Sequence, residues 1–151
     1  MVQAQITFDT PPSTVFSVLT DYPHWPDLFP QKPLINSIHT TANHTIVDMA
    51  VPAFFLPITH ELVTATQEHA PHRIETHLVK GDFEQYAWIW ELNPLPDQHH
   101  THATLSFSIK PAVWAPQWFL RWIIEKDIKE HLLILQRKVR EIHQMKNQHG
   151  S

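Results

Sequence analysis

The sequence predicts an α+β domain in which a curved antiparallel sheet of about six to seven strands wraps around one long C-terminal helix, with two short helices after the first strand. Apolar and polar side chains alternate through most of residues 34–110, as in strands that bury one face. From Leu120 to Ile142 apolar side chains instead recur every three or four residues, which is helical spacing. With 151 residues the chain has the size of one domain. We expect residues 1–146 to form it and residues 147–151 to be a frayed tail.

The first strand and the two short helices fall within the first 30 residues. Apolar residues alternate with polar ones over residues 4–8, and Pro11-Pro12 ends this strand. The apolar pattern of residues 15–19 predicts a short helix. Residues 21–30 contain three prolines, so they allow no more than a helical turn between bends.

The middle of the chain predicts a meander of strands. Its most regular alternation runs from Glu84 to Leu92 and places Tyr86, Trp88 and Trp90 on one face, with Glu84 at the start of the same face. Other runs contribute apolar side chains that we expect on this inner face, namely Met49, Leu105 and Phe107.

The last segment predicts a helix from about Pro116 to about Gln144, because neither proline nor glycine occurs between Pro116 and Gly150. At about 1.5 Å per residue this helix would be roughly 40 Å long, enough to cover the sheet. A sheet that curls around a helix leaves a cavity between the two. We expect Ile124 and Ile128 of the apolar stripe to face that cavity.

Five loose motifs follow one another along the chain: Pro12-x-x-Val15-Phe16, Asp21-Tyr22-Pro23-x-Trp25-Pro26-x-x-x-Pro30, Gly81-x-Phe83, Trp90-x-Leu92-x-Pro94 and Lys110-Pro111 before the last helix. In this order they resemble the SRPBCC, or helix-grip, superfamily, which includes the birch-pollen allergen and StAR-related (START-like) lipid-transfer domains. Within it, the polyketide cyclase/coenzyme Q-binding branch, which also contains the ribosome-association toxin, is the most similar. The resemblance implies the helix-grip fold, but this fold hosts carriers, cyclases and regulators alike.

The leading hypothesis is a carrier or sensor of an apolar small molecule that is lipid-, isoprenoid- or quinone-like, as the coenzyme Q-binding resemblance implies. Arg121 or His131 would meet the polar end of this ligand. The remaining side chains expected to bind it are Met49, Tyr86, Trp88, Trp90, Phe107, Ile124 and Ile128. As an alternative, the aromatic residues fill a solid core and the polar ones bond nearby carbonyl groups.

A polyketide cyclase- or dehydratase-like enzyme is the second hypothesis. No catalytic residue is assigned, but Glu84, Tyr86 and His131 are the candidates for proton transfer if the chain is an enzyme. Several titratable groups at the cavity would favour the enzyme hypothesis, whereas a single titratable group would favour the carrier hypothesis.

No metal and no cofactor are expected. The sequence has no cysteine and only two glycines, which excludes thiol ligands and glycine-rich phosphate loops. His99-His100-x-His102, with Asp97 beside it, falls in a predicted hairpin loop and lacks the spacing of a zinc site.

The start of the last helix suggests a membrane or partner surface. Trp118, Phe119 and Trp122 fall outside the apolar stripe, close to basic residues. As an alternative, the Trp25–Pro30 loop covers them.

The charge pattern leaves a third hypothesis open, a regulatory protein that touches a membrane or the ribosome. The net charge is −4, and residues 114–151 alone carry +3. We expect no DNA partner, while RNA or ribosome contact stays an open alternative. Without a signal peptide or an apolar span, we expect the chain to be cytoplasmic.

Overall fold

The computed structural model describes residues 2–52, 59–112 and 114–149. Within them the elements follow the predicted order. The strands are β1 (Val2–Phe8), β2 (Leu34–Thr40), β3 (Thr45–Pro52), β4 (Thr59–His69), β5 (Arg73–Gly81), β6 (Phe83–Pro94) and β7 (Thr101–Pro111). The α-helices are α1 (Pro12–Leu19) and α2 (Gln117–His149), and a 3-10 helix spans Tyr22–Leu28.

All seven strands form one antiparallel sheet in the order β1-β7-β6-β5-β4-β3-β2. Strands that follow one another in the chain are neighbours, except that β1 pairs with β7, so that Val2 lies opposite Phe107. Irregularities of register interrupt the pairing of β2 with β3, β4 with β5 and β6 with β7. Bulges of this kind bend a strand and increase its twist, which suits a sheet that curves around a helix.

Helix α2 contributes its apolar stripe to the same core as the sheet. Leu135 and Val139 are almost fully buried, and they share one hydrophobic cluster with Trp90 and Leu92 of β6. Leu133, off the stripe, is exposed. The predicted α+β helix-grip fold is therefore confirmed.

The helix is longer than the sequence predicts, since α2 continues past Gln144 to His149. Residues 150 and 151 of the predicted tail lie outside the described residues. The fraying of residues 147–151 stays a prediction.

Within the segment of three prolines, Tyr22–Leu28 form the 3-10 helix, which contains Pro23 and Pro26, while Pro30 lies after it. At about three residues per turn it is longer than the single turn expected from the sequence. Trp25 is almost fully buried, and its indole N–H donates to the carbonyl oxygen of Leu19 at 2.9 Å. Its ring lies 5.8 Å from that of Trp88 on β6, centroid to centroid. The segment is thus a wall of the core and not an outer loop.

The turn between β5 and β6 depends on Gly81, which has φ of +140°. A Cβ atom at this position would collide with the carbonyl oxygen of Glu61 on β4. Asp82 binds Glu61 twice: its N–H donates to the Glu61 carbonyl at 2.9 Å, and its carboxylate accepts from the Glu61 N–H at 2.8 Å. The next residue, Phe83, is buried in the core.

Candidate functional site

A cavity of about 80 Å³ lies between the sheet and α2. An apolar cavity of about 150 Å³ holds benzene. The cavity here is smaller, so a ligand of benzene's size or larger must protrude from it or widen it. The lining comes from the sheet, the 3-10 helix and the loop after it, and α2: Trp25, Phe29, Pro30, Gln31, Pro33, Met49, Val51, Leu62, Thr64, Phe83, Tyr86, Trp88, Trp90, Leu105, Phe107, Ile109, Ile124, Asp127, Ile128 and His131.

Four of the partly exposed lining residues lie together at one end of the cavity. Val51, Tyr86, Ile109 and Ile124 are all half-buried. They lie near the end of β3, the start of β6, the end of β7 and the start of α2. We take this end as the mouth.

Aromatic rings form the sheet side of the cavity. Tyr86 lies between Phe83 and Phe107, with ring centroids 5.7 Å and 5.6 Å away. Trp88 and Trp90 lie further along β6 and are 5% and 1% exposed. The structure thus brings these predicted residues together with Met49, Ile124 and Ile128, and their part in ligand binding stays a prediction.

His131 is one of two polar residues of α2 that the sequence predicts at the cavity, the other being Arg121. It is buried and stacks on Phe29, with centroids 4.3 Å apart and planes 5° from parallel. Its Nδ1–H donates to the carbonyl oxygen of Leu28, at the end of the 3-10 helix. Burial lowers the pKa of the imidazole to about 4, against the effect of this hydrogen bond. The ring is therefore neutral near pH 7, and Nε2 is its acceptor.

Asp127 lies one helical turn before His131 and also lines the cavity. Burial, and then repulsion by Glu130, raises the pKa of the Asp127 carboxyl to about 6, while Lys126 and Gln31 oppose the shift. Its Oδ2 atom has no hydrogen-bond partner among the described residues. Sequence reasoning missed Asp127, although its spacing from Ile124 and His131 places all three on one helix face.

Two further hydroxyl groups lie at the sheet side. Thr64 on β4 is fully buried, and its Oγ1 has no partner in the described part of the chain. Burial raises the pKa of the Tyr86 phenol to about 12, so this group keeps its proton at neutral pH. The cavity is thus apolar over most of its wall, with a few polar atoms.

Two predicted residues lie outside the cavity. Glu84 is exposed and forms an ion pair with Lys110 at 2.9 Å. Its predicted inward direction is wrong, because the irregular register between Phe83 and Gln85 interrupts the alternation of β6. Arg121 is also exposed and pairs with Glu125 at 3.2 Å, so it does not meet the polar end of the cavity.

The aromatic residues at the start of α2 form a cluster on the surface. Phe119 packs between Trp118 and Trp122, with ring centroids 5.9 Å and 6.3 Å away. The two tryptophans are 73% and 58% exposed, so the Trp25–Pro30 loop does not cover them. Lys126 lies over the Trp122 ring, 5.7 Å from its centroid.

Hydrogen bonds to Asp97 hold the histidine-rich loop. Asp97 accepts hydrogen bonds from the backbone N–H groups of His99 and His100 and from the His100 ring. Among the described residues, no group of three or more metal-ligating side chains is placed to hold an ion. Nor does any helix in these ranges have the length and apolar character needed to span a bilayer.

Several lining residues carry no periodic signal in the sequence. Phe29, Pro30, Gln31 and Pro33 come from irregular backbone, where neither strand nor helix spacing indicates a direction. Phe83 belongs to a noted motif, but its inward direction follows from the irregularity after it.

Comparison with solved structures finds many proteins of similar fold. A protein from Thermus thermophilus superposes with a TM-score of 0.74 at 14% identity, over 93% of this chain and 97% of its own. A START superfamily protein from Mycobacterium smegmatis has the same TM-score at 17% identity, again over 93% and 97%. The Zhui aromatase/cyclase from Streptomyces sp. R1128 has a TM-score of 0.68 at 14% identity, over 96% and 93%. At such identities the likeness shows the fold alone.

Comparison with curated proteins finds no match. The sequence profile of one family, described as "Polyketide cyclase / dehydrase and lipid transport", matches residues 8–133. That range runs from the end of β1 into α2 and includes every lining residue of the cavity. The chain therefore belongs to the polyketide cyclase/dehydrase and lipid transport family, with the helix-grip fold of the SRPBCC superfamily.

Proposed function

We propose that the chain binds and carries, or senses, an apolar small molecule in the cavity between the sheet and α2. The observation that carries this proposal is the cavity itself, lined on the sheet side by the aromatic rings of Tyr86, Trp88, Trp90 and Phe107. Such a wall with a few polar atoms is typical of small-molecule sites. A lipid-, isoprenoid- or quinone-like ligand fits the apolar character of this wall.

Narrowing the cavity mouth tests the proposal. Ile124→Trp adds a large ring at a half-buried lining residue. We expect it to weaken binding of the neutral fluorescent probe N-phenyl-1-naphthylamine by about tenfold or more, because the probe would lose most of its apolar contact with the cavity. Leu133→Trp, on the exposed side of α2, is the matched control and should bind like the parent. Equal affinity of all three proteins, with unchanged circular dichroism, would contradict the assignment of the cavity.

A cyclase or dehydratase acting on polyketide-like substrates is the second candidate. Asp127, His131 and Tyr86 all line the cavity, and several titratable groups at one site favour acid–base chemistry. Two of them, however, keep one protonation state at neutral pH, because the pKa of His131 is about 4 and that of Tyr86 about 12. Only Asp127 titrates near neutrality among these three, which favours the carrier. Turnover of a β-hydroxyketone that Asp127→Asn abolishes would favour the enzyme.

We also propose that the cluster of Trp118, Phe119 and Trp122 docks on a lipid surface when the ligand is collected or delivered. The cluster lies at the start of α2, where Ile124 lines the cavity mouth. Exposed tryptophan suits a bilayer interface, since its ring is apolar and its N–H stays hydrated. Arg121, which pairs with Glu125, adds little net attraction to anionic lipid, so apolar contact should dominate.

Vesicle co-sedimentation checks this surface. The double variant Trp118→Ser/Trp122→Ser should lower binding to phosphatidylcholine vesicles by about tenfold or more, because two exposed rings are removed. Leu133→Ser removes an exposed apolar residue elsewhere on α2 and should bind like the parent. Equal sedimentation of the parent and the double variant would refute lipid docking and leave a protein interface.

A further inference from the structure

Two of the three buried side-chain polar atoms that the described residues leave unpaired lie at the cavity. The Oγ1 atom of Thr64 and the Oδ2 atom of Asp127 are buried without a partner in the described ranges. His131, which is 7% exposed, donates through Nδ1 to Leu28 and so presents Nε2 as an acceptor. Buried polar atoms are normally hydrogen-bonded, so the Thr64 and Asp127 atoms indicate a ligand group that pairs with them, and Nε2 of His131 offers that group a further acceptor.

The direction of the missing hydrogen bonds follows from the chemistry of these atoms. Nε2 of His131 accepts only, and an ionised Asp127 carboxylate also accepts only. The two residues lie one turn apart on α2 and both line the cavity. A ligand therefore satisfies this side of the cavity by donating a hydrogen bond, while the Thr64 hydroxyl serves as donor or acceptor.

The charge around the cavity excludes one common class of polar end. No lysine or arginine lines it among the described residues. Arg121 is paired with Glu125 at the surface, and Lys126 lies over the Trp122 ring. A ligand carboxylate would lose its hydration without gaining a counter-ion, next to the acidic side chain of Asp127.

We propose that the cavity selects an apolar ligand whose polar end is an uncharged hydroxyl group, an alcohol or a phenol, that donates to His131 Nε2 and Asp127, and that it discriminates against carboxylates. This inference rests on the proposed function, because it names the ligand class of the same cavity. It assigns the specificity to the α2 side, while the aromatic wall of the sheet supplies apolar contact for any ligand of suitable shape.

Three naphthalene ligands of similar size separate these effects by titration calorimetry at about pH 7.5, where a phenol is neutral and a carboxylate is ionised. 2-Naphthol can donate, 2-methoxynaphthalene cannot, and 2-naphthoate is an anion. We expect 2-naphthol to bind tighter than either of the others by about tenfold or more. In Asp127→Asn, 2-naphthoate should gain affinity, since the repelling charge is gone. Glu141→Gln removes an exposed carboxylate of α2 outside the cavity and should change nothing.

His131→Phe tests the acceptor directly. Its ring keeps a surface that stacks on Phe29 but has no Nε2, so the preference for 2-naphthol over 2-methoxynaphthalene should fall to within about threefold. If His131→Phe does not fold, the affinity of Asp127→Asn for 2-naphthoate still tests the discrimination against carboxylates. Asp127 is only partly buried, so we expect this variant to fold. Equal binding of the three ligands by the parent would overturn this inference and leave the proposed function standing. No binding of any of them would overturn both.

Discussion

The His131→Gln variant is expected to lose the acid sensitivity that His131 confers on the native protein. Burial lowers the pKa of this imidazole from 6.5 to about 4. Between these two values the unfolded state binds the extra proton, so the contribution of His131 to stability is intact above about pH 6.5 and is lost as pH falls toward 4. The difference in pKa corresponds to about 3 kcal/mol.

Asp127 titrates over much of the same range with the opposite sign. Its pKa is raised from 3.8 to about 6 in the folded state, chiefly by burial. The native state therefore binds the extra proton between these values, so the penalty from Asp127 starts to shrink below about pH 6 and is gone near pH 3.8. We expect Asp127→Asn to lose stability more steeply on acidification than the parent does.

Urea denaturation between pH 4 and pH 7 measures both effects. The free energy of unfolding of the parent, minus that of His131→Gln, should shrink by about 3 kcal/mol from the top to the bottom of this range. The glutamine amide can still donate to the Leu28 carbonyl, which limits the structural cost of the variant. Parallel profiles for the parent and His131→Gln would contradict the buried neutral imidazole.

Gly81→Ala is expected to destabilise the protein by about 3 kcal/mol, because strained backbone and a collision with a backbone carbonyl act together. Gly81 has φ of +140°, and its new Cβ would strike the Glu61 carbonyl oxygen on β4. That contact cannot relax without breaking the two hydrogen bonds between Asp82 and Glu61. Phe83, the residue after Asp82, lines the cavity, so ligand affinity should fall as well.

The free energy of unfolding in urea checks this expectation. Lys80→Ala is a suitable control, since Lys80 is the exposed neighbour of Gly81 and its ion pair with Glu61 at 3.9 Å is at the surface. We expect a change of about 0.5 kcal/mol or less for this control. A Gly81→Ala variant as stable as the control would show that the turn tolerates a side chain.

Regular periodicity explains what could be predicted of the fold. The spacing of Ile128, Leu135 and Val139 on α2 is set by the helix itself, and the alternation of Trp88 and Trp90 by the strand. Both patterns determine which face a side chain lies on from local backbone geometry alone, whatever packs against that face. The cavity wall on the sheet side could therefore be predicted from the sequence.

Departures from regular backbone explain what could not be predicted. One irregularity at the start of β6 brings Phe83 to the cavity and leaves Glu84 outside it, although the alternation indicated Glu84. Gln31 comes from irregular chain after the 3-10 helix. The helical spacing of Asp127 could have predicted its position at the cavity, but an acidic residue in a charged helix is usually exposed. The polar side of the cavity thus depends on tertiary packing that the sequence pattern does not contain.

The six tryptophans provide the most direct test that the cavity is the ligand site. Trp25, Trp88 and Trp90 line the cavity, whereas the exposed ones are Trp114, Trp118 and Trp122. Their indole N–H signals can be followed by NMR of nitrogen-15-labelled protein during titration with 2-naphthol. We predict saturable shifts of the three cavity signals with the three exposed signals unchanged. Shifts confined to the exposed tryptophans, or no shift in any of the six, would contradict the account.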